Sequence, residues 1–436
     1  MDAVSIAAVS FGAILALIFL GVPVAMSIFT VAAAGMYLAV GETFLLSMVK
    51  SLVYAYSSSY SLAVIPMFVL MGEIAGKSGI ITDLYQACYR WIGGLRGGVY
   101  NTTILASAGF AAVSGSTVVN AAFFTRVALP EIERLGLNRG FGAGCIAASG
   151  TLAAMIPPSL AIVLYGILTE ESIGKLLVAG ILPGLLTAAV LMVTVIASST
   201  VSKGLTPRHV ERFTTRQKIA GLREIWPALL LMFIIMSGIY SGTVSPSAAG
   251  TIGATGAILI GVLKRRLTVS LFLSAVKSSL IVSASLFMIV IAGILFSRLL
   301  LMTGSIGGLT DLINQMELGP AGFIGLVIVL YFLLGMFIDP VSLMVMSVPF
   351  LFPTAKALGI DGIWFGILVV KLVEIAAITP PIGINLFAVM SASNGRLKTR
   401  EIFIGVLPFV VAELLVLAML LMWPQISTAL PNSMAR

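Results

Sequence analysis

Histidine is almost missing from this sequence: His209 is the only one in 436 residues, and it falls in a polar segment away from the apolar runs. Its scarcity excludes histidine acid–base chemistry and histidine metal sites from the apolar part of the chain. Cysteine is scarce too. Cys88 and Cys145 stand alone, without metal-site spacing or a disulfide pattern, and read as small buried thiols. No GxxxxGK[ST] string is present, so the chain has no phosphate cradle of that kind for ATP. The largest deficit is in charge. Asp, Glu, Lys and Arg make up 10% of the residues and hydrophobic ones 59%, whereas about 25% are charged in an average soluble domain. This is the composition of a polytopic membrane protein lying in a lipid bilayer. The net charge of +8 does not point to nucleic acid, because the basic residues sit in short loops between apolar runs, as cytoplasmic loops do.

What is present is organised around two prolyl-proline pairs. Pro157-Pro158 and Pro380-Pro381 each interrupt an apolar run long enough to span a bilayer. Proline removes a backbone donor and clashes with the preceding turn, so each run must open there. At membrane depth an opened backbone is tolerated only where it faces protein, water or a solute. Two such breaks suggest two halves meeting at one binding site.

In chain order, the first run, 3 to 20, lacks a basic leader and a cleavage site and is expected to be a retained span, followed by a second at 22 to 40. Two shorter arms, 43 to 56 and 61 to 76, flank Ser57-Ser58-Ser59-Tyr60-Ser61 and predict a re-entrant hairpin. Residues 80 to 95 read as an interfacial helix, 99 to 125 as a span interrupted at Ser114-Gly115-Ser116-Thr117, 140 to 168 as the first Pro-Pro span and 176 to 198 as a closing span. The polar residues 199 to 224 form a basic linker, expected on the cytoplasmic side. The pattern then recurs: spans at 225 to 240 and 243 to 263, hairpin arms at 269 to 283 and 286 to 301, an interfacial piece at 304 to 316, a broken span at 320 to 352, the second Pro-Pro span at 363 to 391 and a last span at 402 to 424.

Pro130 and Pro353, Gly136 and Gly359, and Pro157 and Pro380 are each 223 positions apart. Residues 1–198 and 225–436 therefore read as an internal duplication joined by the linker 199–224. An odd number of crossings in each half inverts the second half relative to the first. Loop charges agree in part: Glu170, Glu171 and Lys175 in one half correspond to Arg396, Lys398, Arg400 and Glu401 in the other. With the basic linker, these loops place both termini outside the cytoplasm, although Lys77, Arg90 and Arg96 point the other way.

The groups collected at the breaks are neutral oxygens. The first half offers Ser57, Ser58, Ser59 and Ser61 at the expected hairpin tip, then Ser114, Ser116, Thr117 and Asn120. The second offers Ser279, Ser283 and Ser285, then Asp339, Ser342, Thr379 and Asn385. Hydroxyls, amides and freed carbonyls suit a hard monovalent cation such as sodium, while half-helix N-termini suit an anion. Small polar residues also permit close helix packing, which is the plainer account of any one serine. Asp339 is costly at membrane depth and reads either as part of a cation site, opened by Pro340, or as a paired structural carboxylate. Lys371 and Glu374 are three apart on one helix and able to pair; Arg126 and Arg298 lie near span ends, where long side chains reach the interface. A membrane enzyme is poorly supported: Ser114 and Ser116 have no evident base, and an aspartyl mechanism needs two aspartates where Asp339 alone lies plainly within a span.

The strings IPMFVLMGEIAGKSG (65 to 79), SGSTVVNAAFFTRVALPEIERLG (114 to 136), AASGTLAAMIPPSLAIVLYG (147 to 166), GMFIDPVS (335 to 342) and ITPPIGINLF (378 to 387) resemble the large membrane subunit, DctM type, of tripartite ATP-independent periplasmic (TRAP) transporters. The resemblance spans essentially the whole chain. It implies an all-α polytopic membrane protein of the bacterial inner membrane, an inverted repeat with two re-entrant hairpins and broken helices that works as an elevator. It implies no enzymatic activity and no cofactor, with sodium as the coupling ion. Its partners would be a separate four-helix membrane subunit of DctQ type, an extracytoplasmic binding protein of DctP type and a small carboxylate such as a dicarboxylate or sialic acid.

Carried onto matching positions, the resemblance places sodium ligands at Ser114, Gly115, Ser116, Asp339 and Thr379. It places the solute near Ser57, Ser58, Ser59, Ser61, Thr117, Asn120, Ser283 and Asn385, with Pro157, Pro158, Pro340, Pro380 and Pro381 as helix breaks. Sodium entering down about 100 mV and a tenfold gradient releases roughly 2.3 plus 1.4 kcal/mol per ion, enough to drive accumulation without ATP. The alternatives are a stand-alone sodium-coupled carboxylate carrier or exchanger, and, less favoured, an intramembrane enzyme.

Overall fold

A computed structural model describes residues 3–201, 203–205 and 213–434, and the regular structure among them is helical throughout. His209, with Arg208 and Arg212 of the expected linker, lies outside the described residues. Helices α1 (Ala3–Phe19) and α2 (Val24–Val40) pack on each other across a turn at Gly21, whose φ of 86° suits glycine, and Pro23. Helix α3 (Glu42–Ser57), a 3₁₀ turn (Tyr60–Ala63) and α4 (Val64–Lys77) follow; α4 bends by 65° into the amphipathic α5 (Ile80–Ile92). Next come α6 (Gly98–Ser114), α7 (Thr117–Arg134), α8 (Arg139–Met155), α9 (Leu160–Thr169), α10 (Ile173–Ala179) and α11 (Ile181–Val201).

Helices α12 (Thr215–Tyr240), α13 (Pro246–Leu263), the 34-residue α14 (Val269–Met302) and α15 (Ser305–Gln315) open the second half. Then α16 (Gly319–Gly335), α17 (Pro340–Ala357), α18 (Gly362–Ile378) and α19 (Ile384–Ala392) repeat α6 to α9, α20 (Thr399–Met422) covers the positions of α10 and α11 together, and α21 (Gln425–Ser433) follows. The final α21 lies beyond the last expected span. Helix α12 begins ten residues earlier than expected because Thr214 and Gln217 form a reciprocal capping box.

The two hairpins exist, but not where the serine runs predict them. Helices α6 and α7 fold back on each other: the Ser107 hydroxyl lies 3.1 Å from Asn120 Oδ1, and the Phe110 and Phe123 rings are 6.0 Å apart. In a straight broken span residues 107 and 120 would lie about 20 Å apart, at 1.5 Å per residue. Helices α16 and α17 double back likewise, with the Tyr331 and Ser347 hydroxyls at 2.6 Å.

Conversely, the expected arms 269 to 283 and 286 to 301 are one continuous helix, α14. No proline or glycine interrupts it between Ser279 and Ser285. A helical serine need not break the chain: Ser285 donates to the Ile281 carbonyl at 3.0 Å, one turn back. The first-half counterpart is not a hairpin either, since α3 and α4 both pack along α14. The 3₁₀ turn that follows Ser57, Ser58 and Ser59 packs on α13, where Ser247 donates to the Tyr60 carbonyl at 3.1 Å, and Ser283 is buried in the middle of α14; none of these serines lies at a hairpin tip, and the Ser61 side chain lies outside the described ones.

Helix α5 is clamped to the second half by polar contacts. Asp83 accepts from Lys264 at 2.8 Å and Arg266 at 2.7 Å, and the Trp91 indole donates to the Lys218 carbonyl at 3.1 Å. Arg126 and Arg298 are exposed, as snorkelling side chains are.

The Asn120 amide contacts both the side chain and the carbonyl of Ser107 inside the first hairpin, so it pins the two arms together. Asn120→Ala is expected to lower stability by about 1–3 kcal/mol, the cost of leaving buried polar groups without partners. Thermal unfolding of the purified protein in detergent checks it; an unchanged midpoint would mean the pin contributes nothing.

Candidate functional site

Each hairpin tip lies against one of the proline breaks. At the first, α6 stops because Gly115 turns left-handed, φ 60°, and donates to the Ala111 carbonyl at 3.2 Å. Ser116 is extended and starts α7 without using its hydroxyl as a cap. Across from it, α8 ends at Met155, Pro157 and Pro158 lack donors, and the chain restarts at Ser159, which accepts from Ile162 N at 3.2 Å and donates to the Ala154 carbonyl. The two units are joined directly: Leu160 N donates to the Gly115 carbonyl at 3.3 Å, and a Cβ on Gly115 would lie 2.9 Å from the Pro158 oxygen. From the other side Gly72 of α4 comes so close that its Cβ would be 2.9 Å from Ser114 Cα. Ser114 Oγ is buried here without a hydrogen-bond partner.

The second tip repeats the plan with a charge. Helix α16 ends at Gly335, and Asp339 caps α17, its carboxylate accepting from Ser342 N at 3.1 Å with Pro340 in the first turn. Opposite, α18 ends at Thr379, whose hydroxyl donates to the Ile375 carbonyl at 2.6 Å; Pro380 and Pro381 follow, and Gly383 begins α19. Both prolyl-proline bonds are cis. Asp339 and Pro340 share a cavity of about 230 Å³ with Ala377, Ile382 and Gly383 from the break and with Ile18 and Val24. Among the described residues Asp339 is the only charged one lining it. Ser342 Oγ is buried close by without a partner. Ser116 and Asp339, like Pro157 and Pro380, are 223 positions apart, so the carboxylate stands where the first tip has a hydroxyl.

The two units are interleaved. Helix α9, leaving the first break, packs on α17 of the second hairpin, and α19, leaving the second break, packs on α7 of the first. Tyr165 of α9 donates to the Gly362 carbonyl at 2.8 Å, and Asn385 of α19 donates to the Ala147 carbonyl at 3.3 Å, leaving its Oδ1 without a partner. Ion pairs close the outer ends in the same crossed sense: Glu133 of α7 meets Arg396 at 3.2 Å, and Lys356 of α17 meets Glu171 at 2.7 Å. Glu133 and Lys356 are also 223 apart, so the pairing is kept while its sign is reversed.

Residues 11–426 match the family model of the tripartite ATP-independent periplasmic transporter, DctM component. The chain belongs to the DctM family. A C4-dicarboxylate TRAP transporter large permease protein from Pseudomonas aeruginosa is 34% identical over 86% of this chain and 87% of its own length. A sialic acid TRAP transporter large permease protein from Vibrio cholerae is 29% identical over 96% of each. Among solved structures, the Alcanivorax borkumensis YdaH transporter, described as having an unusual topology, superposes with a TM-score of 0.58 at 13% identity, covering 93% of this chain and 98% of that one; the fold is shared. The DctM-family chain is thus a multi-pass inner-membrane transporter permease and not an enzyme.

Of the residues expected at the site, this permease gathers Ser114, Gly115 and Ser116 at the first tip and Asp339 at the second, with Thr379 closing the helix before the second break. Thr117 opens α7 beside the first tip, and Asn385 lies on the helix leaving the second break. Asn120 is engaged within its hairpin, and the serines of α3, the 3₁₀ turn and α14 stand apart from both tips. Ser342 is one of the neutral oxygens that the sequence gathers near Asp339, and its buried, unpartnered hydroxyl puts it at the tip.

Proposed function

We propose that this permease imports an organic acid by coupling it to sodium, with one cation at each hairpin tip and the solute between the two tips. The observation that carries the reading is the duplicated unit of tip and proline break, in which Ser114 and Ser342 keep buried hydroxyls without partners and Asp339 supplies one carboxylate. Hydroxyls, freed carbonyls and a single negative charge suit a hard monovalent cation, and helix N-termini at α7, α9, α17 and α19 favour an anion nearby. The names of the relatives, for a C4-dicarboxylate and for sialic acid, support a carboxylate without selecting one. Family membership supports a small DctQ-type membrane subunit and an extracytoplasmic binding protein as partners. The crossed ion pairs of opposite sign support two halves of opposite orientation, moving as an elevator.

Reconstitution tests this. Uptake of labelled C4-dicarboxylates and sialic acid into proteoliposomes holding this chain and its small subunit should require both external sodium and the binding protein. Uptake that is equal in potassium would remove sodium coupling from the reading. Uptake without the binding protein would make the chain a stand-alone carrier.

A further inference from the structure

Away from both tips, three ionisable side chains meet in the interior among α8, α11, α18 and α20. Lys371 and Glu374 of α18 and Glu413 of α20 are each 0% exposed. The Lys371 ammonium donates to Glu374 Oε2 at 2.9 Å and to Thr187 Oγ1 of α11 at 2.9 Å, and it forms an ion pair with Glu413 Oε2. Lys371 and Glu413 are the charged groups that act on Glu374. From α8 the facing polar group is Thr151, whose oxygen lies 3.2 Å from Glu413 Oε1 and 2.7 Å from the Ala148 carbonyl. Glu374 Oε1 has no partner.

Fully ionised, this cluster would hold two negative charges against one positive in a dry interior, which is among the least favourable arrangements a membrane protein can adopt. A metal cation does not resolve the excess. The oxygens are few, one hydroxyl is already directed at a carbonyl, and the ammonium occupies the space between the carboxylates. A proton does resolve it. The Thr151 hydroxyl has one hydrogen, and when the Ala148 carbonyl takes it, the remaining lone pair faces Glu413 Oε1 and accepts a proton carried there; Glu374 Oε1 is the second seat.

We propose that Lys371, Glu374 and Glu413 form a proton-binding site, separate from the hairpin tips, in which the two carboxyls share one proton. Like a carboxylate pair, the site titrates as a unit. Charge counting sets the expected behaviour. Glu374→Gln and Glu413→Gln each leave one carboxylate with one ammonium, neutral without a proton, whereas the double substitution leaves the ammonium alone.

Infrared spectroscopy of the purified full-length chain at neutral pH reads the proton directly. The wild type should show the C=O stretch of a protonated carboxyl, shifted down in heavy water, and the band should vanish in either single variant. Both single variants should purify folded at wild-type yield, and the double variant should lose yield at least about tenfold, the factor that about 1.4 kcal/mol represents. No protonated-carboxyl band in the wild type overturns the proposal whatever the variants do, and a band that survives in both single variants overturns its assignment to this cluster.

Discussion

Gly405→Leu is expected to cut the yield of folded protein at least about tenfold. Helices α8 and α20 cross with their backbones in contact: a Cβ on Gly405 would meet the Gly140 carbonyl and Phe141 N, and one on Gly144 would meet the Gly405 carbonyl and Val406 N. Small residues let helices approach closely in a bilayer, where no hydrophobic drive holds them together, so van der Waals contact along the crossing carries the association. A leucine there collides with backbone, which cannot rotate away as a side chain can. Overpacking by side chains alone costs about 1–3 kcal/mol, and separating two backbones costs more because α8 and α20 hold Thr151 and Glu413 in register around Lys371. Gly325→Leu on α16 is the control, since nothing lies within 4 Å of its Cβ position. Size-exclusion profiles after mild detergent extraction check both. A monodisperse Gly405→Leu protein at normal yield would show that the crossing is not needed.

Asp339→Asn is expected to raise the sodium concentration for half-maximal uptake at least about tenfold, about 1.4 kcal/mol of cation binding, with folded yield unchanged. The substitution separates two roles that one carboxylate holds. As the cap of α17 it accepts from Ser342 N, and asparagine caps a helix about as well as aspartate, so the tip should keep its shape. As the only charge that the described residues place in the cavity between tip and break, it is lost outright. Asp339→Ala removes both roles and should add about 1 kcal/mol of instability to the sodium defect. Sodium activation curves in proteoliposomes measure the effect, and an unshifted curve for Asp339→Asn would take the cation away from the second tip.

The proline breaks were legible from the sequence because proline acts through its own covalent ring, and no distant contact is needed to open the helix. The duplication was legible for a similar reason: fixed offsets between Pro157 and Pro380 and between Gly136 and Gly359 survive whatever the fold does with them. The hairpins were misplaced because serine-rich stretches look like turns, whereas in α14 serines bond to carbonyls one turn back. Whether α6 and α7 run on or fold back is decided by contacts such as Ser107 with Asn120, which no local pattern encodes. The local hint was Gly115 between two serines, a position able to turn left-handed.

Lys371 and Glu374 were recognisable as a pair from their spacing, but Glu413 comes from another helix and could be placed only by the fold. The glycine crossing carried a readable sign, Gly140 and Gly144 four apart on an apolar run, which is the small-residue pattern of a close helix interface. Its partner, Gly405, had no such sign.

The coupling cation is proposed to bind at both hairpin tips, and equilibrium binding of radiolabelled sodium to the purified protein reads this without transport. Saturable binding is expected, lowered by the share of the second tip in Asp339→Asn and by the share of the first in Ser114→Ala with Ser116→Ala, and abolished by the three substitutions together. Binding that keeps its full capacity and affinity in all of these variants would contradict that placement.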